Sequence, residues 1–213
     1  MYARHVIVVE NEPLMRDLIG KMLEGAGFKV TTAANAADAK RVHQVVDADA
    51  MVIDIELGPG PDGFDLAMAV LIESPELAIV FLTNLPDPRL AGKDSKSVPK
   101  HAAYLRKSNL VDSSELVEAL NSVLQNDTAV QIRHDLEPQR PLAELSNKQL
   151  EVLKQIADGL SNQQIADERG TSVRAVEGII SRIFESLKID VQGEGNSRVD
   201  AVKKFFVATR PGE

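Results

Sequence analysis

Across residues 1–125, short apolar runs alternate with stretches of helical periodicity, and this alternation restricts the fold more than any other property of the chain. The runs are residues 6–9 (VIVV), 30–33 (VTTA), 51–53 (MVI), 79–82 (IVFL) and 103–105 (AYL). Between the first two, Leu14, Met15, Leu18, Ile19, Met22 and Leu23 recur at intervals that place them on one side of a helix. Pro13 suits the first turn of that helix, and Gly25 and Gly27 close it. The same reading predicts helices over 36–45, 64–72 and 114–124. Strands separated by helices of this length pair in parallel through right-handed crossovers. In such sheets a ligand sits beyond the carboxyl ends of the strands.

The pattern changes after residue 125. Residues 126–144 (NDTAVQIRHDLEPQRPLAE) are mostly polar, contain Pro138 and Pro141, and read as a linker in which Val130 and Ile132 pack at most locally. Beyond them only helical periods occur. Ser146 caps a helix bearing Leu150, Val152, Leu153 and Ile156, which ends at Gly159. Ser161 opens a short helix with Ile165 and Ala166, Gly170 breaks it, and Ser172 caps a longer one with Val176, Ile179, Ile180, Ile183 and Leu187. A last helix spans about 197–208. A short helix, a tight glycine turn and a longer helix form a helix-turn-helix. The expected division is 1–125, a linker at 126–144, and 145–213.

Composition removes several classes of function. With no cysteine there are no disulfides, thiolate metal sites or cysteine nucleophiles, and the four histidines (His5, His43, His101, His134) show no ligand spacing. No apolar run reaches the roughly 18 residues that span a membrane, and the first residues lack the pattern of a signal peptide. A cytoplasmic protein that does not associate with membranes is expected. The net charge of −8 is uneven: residues 1–128 hold 12 Lys/Arg against 19 Asp/Glu, and the rest 12 against 13. The acidity therefore belongs to the first half, where a divalent cation or a basic partner could use it.

Polar residues converge at the predicted strand ends. Strand one ends in Glu10, Asn11 and Glu12, strand three in Asp54, strand four in Thr83, and strand five in Arg106 and Lys107. A hard cation takes oxygen ligands, and a lysine balances phosphoryl oxygens. Singly these are ordinary strand-end residues. Together, in this order, they indicate Mg²⁺ and phosphoryl chemistry rather than an enzyme's catalytic group.

On the pieces VIVVENEP (6–13), MVIDIEL (51–57), FLTN (81–84) and YLRK (104–107), the first half resembles a response-regulator receiver domain over about residues 4–125. The resemblance implies an α/β flavodoxin-like fold, a parallel five-stranded sheet of order 2-1-3-4-5. It implies that Asp54 accepts a phosphoryl group from a histidine kinase, that Thr83 and Tyr104 form a switch pair, and that Lys107 is the cationic partner. Mg²⁺ would be held by Glu10, Asn11, Asp54 and the Glu56 carbonyl. Receivers usually carry two adjacent aspartates where this chain has Glu10 and Asn11. One charge is lost and one carboxylate is displaced by a methylene, so a weak metal site is expected. Residues 85–101, where the family has its fourth helix, hold Pro86, Pro88, Gly92 and Pro99 and should not form a regular helix.

Residues 145–208 resemble the LuxR/NarL-type DNA-binding domain through LSNKQLEVLKQIADGLSNQQIADERG (145–170) and through Val176, Ser181, Arg182, Ile183 and Leu187. The resemblance implies an all-α four-helix domain that binds DNA as a homodimer on paired half-sites, its third helix (about 172–189) in the major groove. Ser172, Arg174, Glu177, Gly178, Ser181 and Arg182 are then the candidate contacts. Glu177 and Gly178 stand where the family usually has Lys and a contact residue, and residues 145–205 carry 9 basic and 9 acidic side chains. The stretch 190–196 (DVQGEGN) is longer than the family's usual turn. The expected function is a DNA-binding transcriptional response regulator with an atypical receiver. The alternative is a phosphorylation-independent interaction or dimerisation module with weak or no DNA binding. A flavin protein on the same fold is disfavoured, because the first strand–helix loop has no Gly/Ser/Thr-rich phosphate cradle.

Overall fold

The computed structural model describes residues 3–110, 113–125, 132–191 and 195–209. The first unit is a five-stranded sheet, parallel as the alternation implies and in the order β2-β1-β3-β4-β5 that the family resemblance implies. Its strands are β1 (His5–Val9), β2 (Lys29–Ala33), β3 (Ala50–Ile53), β4 (Ala78–Thr83) and β5 (Ala103–Arg106). Its helices are α1 (Pro13–Gly25), α2 (Ala36–Val45), α3 (Gly63–Glu73) and α4 (Ser113–Leu124). Helices cover both faces of the sheet, which is why β1, β3 and β5 are buried along their whole length and read as unbroken apolar runs. Val6, Val8, Val52, Val80, Leu82 and Leu105 meet Ile19 and Leu23 of α1 and Leu116 and Leu120 of α4. In β4 and β5, Phe81 and Tyr104 are paired across the ladder, and their ring centroids lie 6.3 Å apart. Phe64 of α3 lies 4.8 Å from Phe81.

The outer edge of β5 is covered by part of the expected linker. Tyr104 N–H donates to the Ile132 carbonyl at 2.9 Å, and Arg133 forms a parallel bridge with Tyr104. Arg106 N–H donates to Nδ1 of the buried His134 at 3.0 Å, while Nε2 of that ring lies 3.0 Å from Glu115 Oε1. A ring nitrogen that accepts an amide hydrogen carries none of its own, so the neutral ring holds its hydrogen on Nε2 and directs it at Glu115. Residues 132–135 thus belong to the first unit. A buried imidazole bonded to β5 and α4 anchors the segment. Residues 126–131 of that expected linker, Val130 included, lie outside the described residues.

Among its described residues the second unit contains four α-helices: α5 (Asn147–Ala157), α6 (Asn162–Glu168), α7 (Val173–Ser186) and α8 (Ser197–Thr209). Ser146, Ser161 and Ser172 cap α5, α6 and α7, and the first two form capping boxes with Gln149 and Gln164. The turn between α6 and α7 passes through Gly170 at φ 59°, a left-handed conformation suited to glycine. Leu150, Leu153, Ile156, Ile165, Val176, Ile179, Ile183 and Ala201 are buried. Residues 192–194 of the expected 190–196 loop lie outside the described residues.

This unit also includes residues 85–95, which the sequence assigned to the first half. No regular helix forms over 85–101; 3₁₀ turns occur at Pro88–Ala91 and Ser95–Ser97, in keeping with the prolines. The reason for the changed boundary is a buried acid. Asp87 bonds Arg89 and also accepts from Arg140 Nε at 3.1 Å, an ion pair between positions 53 residues apart. Among the described residues no helix is long and apolar enough to cross a membrane.

His134→Ala should strip the Arg106 amide of its acceptor and free residues 132–135 from β5. The expected cost is about 1–3 kcal/mol. Hydrogen exchange should show the Tyr104 and Arg106 amides losing protection while β1 keeps its own; unchanged protection at both would refute the anchoring role.

Candidate functional site

The parallel register brings the predicted polar residues to one edge of the sheet. Val9 is paired with Ile53, so Glu10 and Asp54 leave adjacent strands side by side. Asp54 N–H donates to the Val9 carbonyl at 2.9 Å and Glu10 N–H to the Ala33 carbonyl at 3.1 Å, which extends the ladder one residue beyond the strands. Thr83 is paired with Arg106, one residue before Lys107. Glu10, Asp54 and Thr83 are 1%, 5% and 0% exposed.

Lys107 occupies the centre. Its ammonium lies 2.6 Å from Glu10 Oε2 and 2.8 Å from Asp54 Oδ2. The other Asp54 oxygen accepts from Glu56 N–H at 3.2 Å, and Glu10 Oε1 accepts from Glu12 N–H at 3.1 Å. Burial alone would lower the pKa of Lys107, but Asp54 and Glu10 outweigh it and hold the ammonium above the ordinary lysine value. Burial raises the pKa of Glu10, assisted by the charge on Asp54, and Lys107 offsets only part of this. A carboxylate held by one ammonium and one amide is an oriented nucleophile. The same ammonium is placed to balance the oxygens of an incoming phosphoryl group.

The donor set fits a resident dication poorly. Glu10 and Asp54 already share one ammonium. The neighbouring Asn11 is neutral and exposed, and no group of three or more His, Cys, Asp or Glu among the described residues is placed to hold a metal. Mg²⁺ demands near-octahedral oxygen ligation, and two spoken-for carboxylates with the Glu56 carbonyl do not supply it.

Of the predicted switch pair, Tyr104 is wholly buried against Phe81, and strand alternation puts Thr83 on the same face of the sheet. Two shaping residues were not among the sequence candidates. A Cβ on Gly63 would sit 2.3 Å from the Asp54 carbonyl oxygen and 2.8 Å from the Ile55 Cα, so only glycine lets α3 start against the Asp54 loop. The Asp62-Gly63 pair was a readable turn signal, but not a readable close approach. Arg16 of α1 donates to the carbonyls of Glu10 at 2.6 Å and Asn11 at 3.3 Å, and pins the β1–α1 loop. Its signal was no more than its position one turn into an amphipathic helix.

In the second unit all six candidate contacts are exposed: Arg174, Glu177, Gly178, Ser181 and Arg182 lie on the side of α7 away from its buried Val176, Ile179, Ile180 and Ile183, and Ser172 stands at its N-terminal cap. Ser172 Oγ accepts from Ala175 N–H at 3.2 Å as the helix cap, and Ser181 Oγ donates to the Glu177 carbonyl at 3.0 Å. A Cβ on Gly178 would meet nothing within 4 Å. On α8, Arg198 donates to Asn162 Oδ1 at 2.8 Å and to the Leu160 carbonyl, which fixes the start of α6.

Residues 6–121 match the response regulator receiver domain family, and residues 143–203 match the luxR family of bacterial regulatory proteins. The chain is 25% identical over 185 residues to the transcriptional regulatory protein FixJ of Azorhizobium caulinodans, covering 86% of this chain and 85% of that protein. It is 27% identical over 207 residues to the transcriptional regulatory protein DesR of Bacillus subtilis, covering 93% and 94%. Among solved structures it is similar in fold to RcsB from Salmonella enterica serovar Typhimurium bound to promoter rprA in the presence of phosphomimetic BeF3-. That match has a TM-score of 0.56 at 18% identity and covers 95% of this chain and 99% of the other.

Lys107→Ala should cost about 3–5 kcal/mol, because two buried carboxylates would be left facing each other without a cation. Asp54→Asn in the same chain should recover part of the loss, as urea unfolding would show. The lysine's contribution is complete below its unfolded pKa of about 10.4 and disappears as pH rises through the higher folded value. A variant as stable as wild type at neutral pH would contradict this balance. Gly63→Ala should also destabilise, since the atoms it meets are backbone.

Proposed function

The chain belongs to the response-regulator family, a receiver domain followed by a luxR-type regulatory domain, and on that premise we propose that it regulates transcription by binding DNA. In this reading α7 enters the major groove, a homodimer reads paired half-sites, and the pocket around Asp54 is the input. The observation that carries it is the outward face of α7: every candidate contact is exposed, while the opposite face builds the core. Arg174 and Arg182 supply the cations for phosphate oxygens, and Ser172, Glu177, Gly178 and Ser181 complete the surface presented to the groove.

Asp54 is the proposed phosphoacceptor and a histidine kinase the proposed donor. Its carboxylate oxygen forms the new bond to phosphorus as the bond to the donor imidazole breaks, and Lys107 shifts from Glu10 and Asp54 toward the phosphoryl oxygens. Thr83 and Tyr104 are the residues proposed to register the change. Any Mg²⁺ binding by Glu10, Asn11, Asp54 and Glu56 is proposed to be weak, for the reasons of donor number and charge already given. Intact mass after incubation with acetyl phosphate and Mg²⁺ tests the assignment: wild type should gain one phosphoryl group and Asp54→Asn none.

The balance of charge favours a second reading. With 9 basic and 9 acidic residues over 145–205 and Glu177 at the outer face, the domain has little of the cationic surplus from which most DNA affinity comes. An interaction or dimerisation module would show the same surface.

Two substitutions on α7 separate these readings. Glu177→Lys should tighten binding to duplexes of any sequence and steepen the dependence of log K on log salt by about 1, the release of roughly one more counterion. Gly178→Ala should raise the stability of the helix by about 0.5–1 kcal/mol, since the new methyl meets nothing within the chain. It should weaken DNA binding if a base pair or phosphate approaches the helix there. Gains in stability with no change in affinity for either variant would favour the interaction module.

A further inference from the structure

The exposed face of α7 sorts its polar groups by hydrogen-bonding sense. Ser181 Oγ commits its one hydrogen to the Glu177 carbonyl at 3.0 Å, so the hydroxyl has only lone pairs left to offer outward. The Glu177 carboxylate, one turn earlier, can only accept, and it has no partner among the described residues. Arg174 and Arg182 can only donate, and their guanidinium groups are likewise unpaired among the described residues. On the helix surface Arg174, Gly178 and Arg182 form one row at intervals of four, and Glu177 and Ser181 form the row beside it. The middle of the face therefore presents acceptors, and its two ends present donors.

Set in a major groove, such a face is selective. Only cytosine N4 and adenine N6 present donors there, whereas guanine and thymine turn acceptors outward. A carboxylate is repelled by phosphates and by acceptor edges, so it is tolerated only where an amino group meets it. Adenine sets its N7 acceptor beside N6, while cytosine offers its amino group without one, and so suits a carboxylate best. Reach points the same way. A serine hydroxyl is short and meets a base edge only when the helix lies deep in the groove. Gly178 provides that clearance: a Cβ there would meet nothing within 4 Å, so packing inside the chain does not require the glycine. We propose that α7 reads a cytosine in each half-site through Glu177, with Ser181 accepting from a second base amino group and Arg174 and Arg182 holding guanine edges or phosphates on either side. Positions 177 and 181 are roughly 6 Å apart along the helix axis, within two base steps of about 3.4 Å. The assignment rests on the groove placement of α7 proposed above and adds to it the base that is read.

Selection of duplexes from a randomised pool by the full-length chain at low salt, followed by sequencing of the bound fraction, tests it. Glu177→Ala should level the preference at one position of each half-site and leave the rest of the site selected, and the wild-type base at that position should be cytosine. Replacing that C·G pair by T·A sets an O4 acceptor against Glu177 and should weaken wild-type binding by about 5- to 150-fold. Glu177→Gln, whose amide both donates and accepts, should move the preference at the same position to adenine. Glu177→Lys should gain most on duplexes that lack the cytosine. Because Glu177 is exposed, helical circular dichroism should be the same for all these variants. A wild-type preference for any other base at the levelled position, or a selected site that no substitution of Glu177 alters, would overturn the assignment alone. Selection of no site, with no duplex bound at low salt by wild type or by Glu177→Lys, would overturn the DNA reading and the assignment with it.

Discussion

One ammonium between two buried carboxylates is the constraint on which the first unit is built. Lys107 follows β5, Glu10 follows β1 and Asp54 follows β3, so a single charge ties together three of the five strands at the carboxyl edge of the sheet. Removing charges from water is costly, and this arrangement is tolerable only because each carboxylate also accepts a backbone amide. The features around it follow from the same requirement. Gly63 lets α3 start close to the Asp54 loop, and Arg16 holds the carbonyls of the β1–α1 loop in place. The result is a carboxylate that is already positioned but already paired, so any group that approaches Asp54 must first compete with Lys107.

What was legible in the sequence follows from the range of the interactions concerned. The parallel sheet and the convergence of Glu10, Asp54, Thr83 and Lys107 at its strand ends came from local alternation, and the strand order from the family resemblance, because alternation fixes the crossovers but not which strands lie side by side. The serine caps of α5, α6 and α7 were legible for the same reason: a hydroxyl three residues before a glutamine or an apolar run is a short-range signal. The close approach at Gly63 was not, because it depends on which backbone atoms arrive from another loop. Nor was the role of His134, whose two partners come from β5 and α4. Asp87 and Arg140 looked like polar residues of a loop and a linker, and nothing local distinguishes an acid that will be buried against a distant arginine from one that stays in water.

The two units distribute charge differently for reasons that bear on function. In the first, acidic residues dominate and one lysine is enclosed by them. In the second, the exposed face of α7 carries Arg174 and Arg182 beside Glu177, a mixture that, in the DNA-binding role proposed for it, would lower nonspecific attraction to phosphate and leave donors and an acceptor for base edges. A reader of this kind depends on being held in the right place more than on raw electrostatic pull. The anchoring of α6 by Arg198 and of the start of α5 by Arg89 are both devices of that sort.

The division of the chain also has a consequence for how the protein is made. A ribosome releases residues 85–95 well before Arg140, Leu145 and Lys154, with which they fold. At about 5–20 residues per second, the 59 residues between positions 95 and 154 take roughly 3–12 s to appear. For that interval Asp87 has no Arg140 to bind, and Pro86 and Pro88 disfavour a competing helix in the segment. Any pairing of β4 with β5 within it would close across a loop whose own partners do not yet exist.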